Sequence, residues 1–254
     1  MAGFFKRLFG GKTEEEVEAP RPPEQKPKRI IPRRVPEILA SVPLAEIDLA
    51  PRSDYPNACW LDLKLRTATF SPPLMTDEYG DFVAVDVETT GIDPVAGEVL
   101  EVAALRFEHF RPVELFTALT KPLHFPTVPL AASEVNGITD DDLASAVTFA
   151  ELLPSLQDFI DNAKIIVGHN LPFDVKFLFK SGVVFVPERL YVDTLENAKK
   201  YLNGKKYARN KGYKLSTLCE HYGIDLTNAH CAAADCLAAG ELFRELLCDM
   251  ADNG

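Results

Sequence analysis

Proline density divides this chain before any motif is considered. A prolyl residue has no amide N–H and a fixed φ, so a proline-dense stretch builds neither a helix interior nor a central strand. Eleven of the nineteen prolines fall in residues 1–80, among them PRPPEQKPKRIIPRRVP (20–36). Residues 1–36 are therefore expected to be a disordered, basic and Pro-rich tail. Residues 37–80 are expected to be an extension or strap on the main domain. Within them WLDLKLRTATF (60–70) alternates enough for a short strand or helix without deciding between the two. Regular patterning begins near residue 81, which places one folded domain over 81–250.

Inside that domain the patterning switches between two periods. DFVAVDV, EVLEVAALRFEHF and PVELFTALTKP are rich in Val, Phe and Leu, are punctuated by Gly and Pro, and read as three successive strands. TFAELLPSLQDFIDNA reads as an amphipathic helix capped by Thr148. AKIIVGHN reads as a short buried strand, and LPFDVKFLFKSG as a helix with Pro172 at its start and Gly182 at its stop. RLYVDTLENAKKYL, KLSTLCEHYGI and CAAADCLAAGELFRELL add a further strand and helices. Strands first, then alternation with helices, predict an α/β domain with a mixed sheet.

Composition removes several classes. Apolar residues are 46% and charged residues 26%, which excludes collagen-like and wholly disordered chains. No run approaches the roughly 18 consecutive apolar residues of a membrane span, and MAGFFKRLFGG lacks the apolar core of a secretory signal. Five cysteines, an odd number with no C-x-x-C pair, fit a reducing compartment, and a cytoplasmic location is expected.

The net charge of −11 argues against a protein that coats DNA by charge alone. The charge is unevenly placed. Residues 1–34 carry nine Lys/Arg against five Glu, so the remaining 220 residues hold −15. Within that acidic body, KKYLNGKKYARNKGYK (199–214) has seven basic residues and no acid. Its cations, Lys205, Lys206, Arg209 and Lys211 among them, interleave with Tyr201, Tyr207 and Tyr213. That mixture suits backbone contact and base stacking on a single strand, and it equally describes a solvated loop.

Three acidic motifs stand out. In FVAVDVETTG (82–91), the strand period of two puts Asp86 and Glu88 on one face, where paired carboxylates suit a hard divalent ion. An exposed strand end running into a turn would look the same. In VGHNLPFDVKFL (167–178), Asp174 falls in the first turn of a helix, where it could serve the helix dipole, with His169 and Asn170 as capping residues. In HCAAADCLAAGELF (230–243), His230 lies about 140° around a helix from Asp235. The two reach one site only if His230 sits in the loop or first turn ahead of the helix. The spacing of Cys231 and Cys236 fits no usual structural-zinc pattern.

Together, D86-V-E88-T-T-G, H169-N-L-P-F-D174 and H230-x4-D235, with SEVNGITDDDL (133–143) between the first two, resemble the DnaQ-like (DEDDh) 3′–5′ exonuclease family, including the exonuclease domain of the DNA polymerase III epsilon subunit. The resemblance covers about residues 81–248. It implies a ribonuclease H-like fold, a mixed β-sheet flanked by helices, here carrying a Pro-rich N-terminal extension. It further implies metal-dependent hydrolysis of phosphodiesters at the 3′ end of single-stranded nucleic acid, releasing nucleoside 5′-monophosphates. Asp86, Glu88, Asp174 and Asp235 would hold two Mg2+ or Mn2+ ions, about 3.5–4 Å apart in two-metal phosphoryl chemistry. His230 would be the general base, imidazole being the side chain that ordinarily titrates near neutral pH. The backbone of Thr89, Thr90 and Gly91, with Asn170, would hold the terminal nucleotide, and Phe173 would line its pocket.

The chain runs only 19 residues past Asp235, so a C-terminal polymerase-binding extension like that of the epsilon subunit is not expected. DNA 3′ ends, in proofreading or repair alongside a polymerase or repair complex, are favoured. RNA 3′-end processing, an oligoribonuclease-like activity on dinucleotides and a non-catalytic nucleic-acid-binding module are the alternatives. Oligomeric state is not legible.

Overall fold

The computed structural model describes residues 79–186, 188–202, 212–226 and 229–253. The expected tail, the strap except for Tyr79 and Gly80, and Lys205, Lys206, Tyr207, Arg209 and Lys211 of the basic run lie outside the described residues.

The three expected strands are β1 (Phe82–Thr89), β2 (Val99–Glu108) and β3 (Arg111–Leu119), an antiparallel meander. A short helix follows, α1 (Leu130–Asn136), opened by Pro129 and stopped by Gly137 in the left-handed region. The sequence pattern predicts no helix there. With only seven residues it is too short to display a clear helical period. Next comes α2 (Phe149–Asp161), whose Thr148 forms a full capping box with Glu151. Then follow β4 (Ile165–Gly168), α3 (Leu171–Lys180), β5 (Leu190–Asp193), α4 (Thr194–Leu202), α5 (Leu215–Tyr222) and α6 (Ala232–Asn253). No described helix is long and apolar enough to cross a membrane.

The sheet order is β3-β2-β1-β4-β5, with β1 antiparallel to β2 and parallel to β4, and β4 parallel to β5. This is a mixed sheet of the expected ribonuclease H-like kind. The strand period divides β1 between two cores. Phe82 and Ala84 face one layer with Phe107, Val167, Cys236 and Phe243, the last two from α6. Val83, Val85 and Val87 face the other, with α2 and α3. Asp86 and Glu88 share the parity of Phe82 and Ala84, so they continue the α6 face beyond the point where apolar packing ends.

Close approach of α6 depends on small residues. Ala232, Ala238 and Ala239 are buried, and a Cβ at Gly240 would run into the Phe107 ring. That ring is stacked on Phe82 at 4.4 Å, and Phe243 meets Phe82 edge-on at 5.3 Å, so it has little room to yield. Gly240→Val is therefore expected to destabilise the fold by about 1–3 kcal/mol, the range for overpacking a filled core. Thermal denaturation checks this, and an unchanged Tm would contradict the packing described.

Candidate active site

The C-terminal ends of the parallel strands β1, β4 and β5 open into one cleft of about 750 Å³. In open α/β sheets this edge is where ligands bind. Asp86, Glu88, Asp174, Asp235 and His230 all line it, as do Asn170 and Phe173. Residues more than 140 positions apart in sequence thus meet at one point.

Each carboxylate arrives by a different element. Asp86 and Glu88 come from the last turn of the β1 pleat. Asp174 sits in the first turn of α3, 3% exposed, and accepts the Val87 amide at 3.0 Å. It therefore binds the backbone amide that lies between the two β1 acids in sequence. Asp235 sits in the first turn of α6. His230 precedes that helix with φ 66°, and its amide donates to Asp235 at 3.3 Å, so the loop placement that the spacing demanded is the one observed.

The electrostatics match the crowding. Burial raises the Asp86 pKa well above the carboxylate range, and Asp174, Asp235, Glu88 and Glu101 push it further. Burial, then Asp235 and Glu101, lift Glu88 to about 8. Burial also raises Asp174 and Asp235. Like charges buried together are held apart from their preferred protonation unless a cation is shared among them. The donor set fits such a cation. One ligand atom each from Glu88, His230 and Asp235 lies within 4.8 Å of the others. The Asp235 Oδ1 atom is buried without a hydrogen-bond partner, while Asp86 and Asp174 line the same cleft.

The motif reading missed Glu101. It stands directly opposite Glu88 across β1 and β2, accepts the Ala232 amide at the start of α6 at 3.2 Å, and adds a further negative charge. Nothing local distinguishes it within VLEVAALRF; only the strand register brings it to the site. Lys180 was missed for the same reason, and donates to the Val95 and Gly97 carbonyls, pinning the β1–β2 loop to α3.

Other expected residues are placed differently. Thr89, Thr90 and Gly91 continue past Glu88 and are not part of the cleft lining. The Thr89 hydroxyl donates to the Gly91 carbonyl, and the Thr90 hydroxyl accepts the Glu98 amide. Asn170 is the residue preceding α3, but its side chain makes no cap bond and its φ is 64°. His169 caps nothing. Its ring bonds to Thr194 Oγ1 at 2.9 Å and the Tyr213 carbonyl at 3.0 Å, and burial lowers it to about 4. Cys236 is buried with its thiol against the Ala84 and Ala103 carbonyls, a core role rather than a metal one.

A mixed sheet whose strand ends gather acids from a strand and two helices offers a donor set suited to a hard divalent cation. Residues 83–243 match the exonuclease family model, and the chain belongs to this DnaQ-like exonuclease family. The DNA polymerase III subunit epsilon of Aquifex aeolicus is 31% identical over 168 residues, covering 66% of this chain and 81% of that protein. The PolC-type DNA polymerase III of Thermotoga petrophila is 32% identical over 169 residues, 65% of this chain but 12% of that much longer protein. Among solved structures, a zinc-bound complex of E. coli exonuclease I with single-stranded DNA aligns with a TM-score of 0.57 at 22% identity, covering 67% of this chain and 40% of that one. Exonuclease X in complex with 5′ overhanging duplex DNA aligns with a TM-score of 0.52 at 20% identity, covering 67% and 98%. These two likenesses establish the shared fold.

The raised Glu88 value has a stability consequence. Because its folded pKa of about 8 exceeds the ordinary 4.5, its contribution is complete below about pH 4.5 and is lost as pH rises towards 8. Glu88→Gln is expected to raise the Tm of the metal-free protein above about pH 8 and to shrink the Tm gain given by Mn2+. Melts in EDTA and in Mn2+ test this; an identical pH profile in the variant would contradict the electrostatics.

Proposed function

We propose that this chain is a metal-dependent 3′–5′ exonuclease that trims single-stranded DNA ends to nucleoside 5′-monophosphates. The observation that carries the reading is the convergence of Asp86, Glu88, Asp174, Asp235 and His230 on one cleft at the sheet's C-terminal edge. DNA is favoured over RNA because the relatives above are DNA polymerase III proteins. By the same argument a polymerase or repair complex is the favoured setting, with a cytoplasmic location.

In this mechanism Asp86, Glu88, Asp174 and Asp235 would hold two Mg2+ or Mn2+ ions. Bound there, such ions would neutralise the scissile phosphate and acidify the attacking water. His230, exposed at the mouth of the cleft, would take the proton of the attacking water at a ring nitrogen. Its left-handed backbone and its amide bond to Asp235 hold the imidazole on the solvent side of the acids. Asn170 and Phe173 bound the pocket for the terminal nucleotide, Phe173 packing on Phe177 at 5.0 Å. Lys199 and Lys214, the two ends of the basic run, line the cleft wall and would lead the upstream phosphates away from the acids.

The decisive experiment is a time course on a 5′-labelled single-stranded DNA oligonucleotide and its RNA equivalent, with Mg2+, Mn2+ or EDTA. An EDTA-sensitive ladder shortening from the 3′ end, faster on DNA, is expected. Asp86→Ala and Asp174→Ala should each lower the rate by at least about 10³-fold, with the fold retained by circular dichroism. Activity that survives either substitution contradicts the assignment. Neutralising Lys205, Lys206 and Arg209 together should weaken binding and reduce its salt dependence; unchanged affinity and slope would make the run a solvated loop.

A further inference from the structure

His169 is the most engaged side chain of the second motif, yet the mechanism above does not use it. Both of its ring nitrogens are committed to the protein. The Tyr213 carbonyl can only accept, so Nε2 carries a proton and donates at 3.0 Å. Nδ1 meets the Thr194 hydroxyl at 2.9 Å, and the single proton of that hydroxyl is shared between the ring and the Gly168 carbonyl at 3.1 Å. Both nitrogens face groups of the protein, and a neutral ring offers no charge to a phosphate.

The ring therefore works through what it joins. On one side is the corner between β4 and α3, which leads into Asp174 four residues after Asn170. That corner is gripped by the facing corner between β5 and α4. Asp193 Oδ1 accepts the Asn170 amide at 2.9 Å and the Leu195 amide at 3.0 Å, while Thr194 meets His169. On the other side is Tyr213, where the chain leaves the basic run and enters the cleft wall with Lys214, Leu215 and Ser216. One imidazole thus spans the acid-bearing corner and the wall that would carry the strand.

We propose that His169 is a positioning residue for the substrate strand, fixing the 213–216 wall relative to Asp174 so that a strand held along that wall meets the carboxylates in register. This rests on the exonuclease reading given above. Its signature is a split: loss of the ring should weaken the grip on a long strand far more than it slows turnover once the strand is bound.

The test uses the full chain with a single-stranded DNA oligonucleotide in Mn2+, comparing wild type, His169→Phe, His169→Gln and Thr194→Val. His169→Phe removes both bonds and should raise KM about tenfold while kcat changes by less than about threefold, with a shallower dependence of KM on salt. The Gln side-chain amide can still donate to the Tyr213 carbonyl, so His169→Gln should recover most of the KM. If His169→Phe does not fold, Thr194→Val carries the test. It removes the hydroxyl that meets Nδ1, and with it the bond to the Gly168 carbonyl in the same corner, and should raise KM in the same direction; a wild-type KM there overturns the proposal. The proposal is also overturned if His169→Phe lowers kcat at unchanged KM, or if His169→Gln behaves like His169→Phe. A wild-type protein that cleaves no oligonucleotide removes the exonuclease reading, and this inference with it. Wild-type cleavage with unaltered kinetics in all three variants removes only the role of His169.

Discussion

The bond from the Val87 amide to the Asp174 carboxylate brings the helix acid against the strand acids, and the rest of the site is arranged around it. Bringing carboxylates so close is unfavourable: burial and mutual repulsion raise Asp86, Glu88, Asp174 and Asp235 together. An isolated strand end would relax by swinging its side chains into water. Here it cannot, because β1 is packed on both faces, by α6 on one and by α2 and α3 on the other. The two apolar layers hold the charges in place, and the charges in turn create the demand for a cation.

Two of the four described non-glycine residues with positive φ sit at the same place, the other two, His109 and Phe110, forming the β2–β3 turn. Asn170 and His230 are non-glycine residues with φ of 64° and 66°, a conformation that costs about 1–3 kcal/mol each. Both are held by carboxylates, Asn170 by Asp193 and His230 by Asp235, each through its own amide. Acidic side chains therefore serve this site in two ways. Some face the cleft, and others, Asp193 and Glu101, fix the corners and the helix start from which the first set projects.

The topology explains why one cleft suffices. β1 is antiparallel to β2 and parallel to β4, so the connections that follow β1 and β4 depart from the same sheet edge. α3 and the turn before α6 both come to that edge, which brings the second and third motifs to the first. Lys180, bonded to the Val95 and Gly97 carbonyls, ties the β1–β2 loop to the same helix that carries Asp174.

The sequence by itself determined the three-strand opening, the alternation that follows, the Thr148 cap and the five residues of the three motifs. Each is written in a local period or in residues a few positions apart. It also required His230 to stand ahead of its helix, since the helical angle allowed no other arrangement. Only the tertiary structure decided that Glu101 faces Glu88, that His169 bonds across to Tyr213 instead of capping α3, that Thr89–Gly91 fall outside the cleft lining, and that Lys180 anchors a loop more than 80 residues away. These facts depend on strand register and on which helix end meets which corner. Both are set by burial of apolar surface between distant segments, which leaves no mark on the residues immediately beside them.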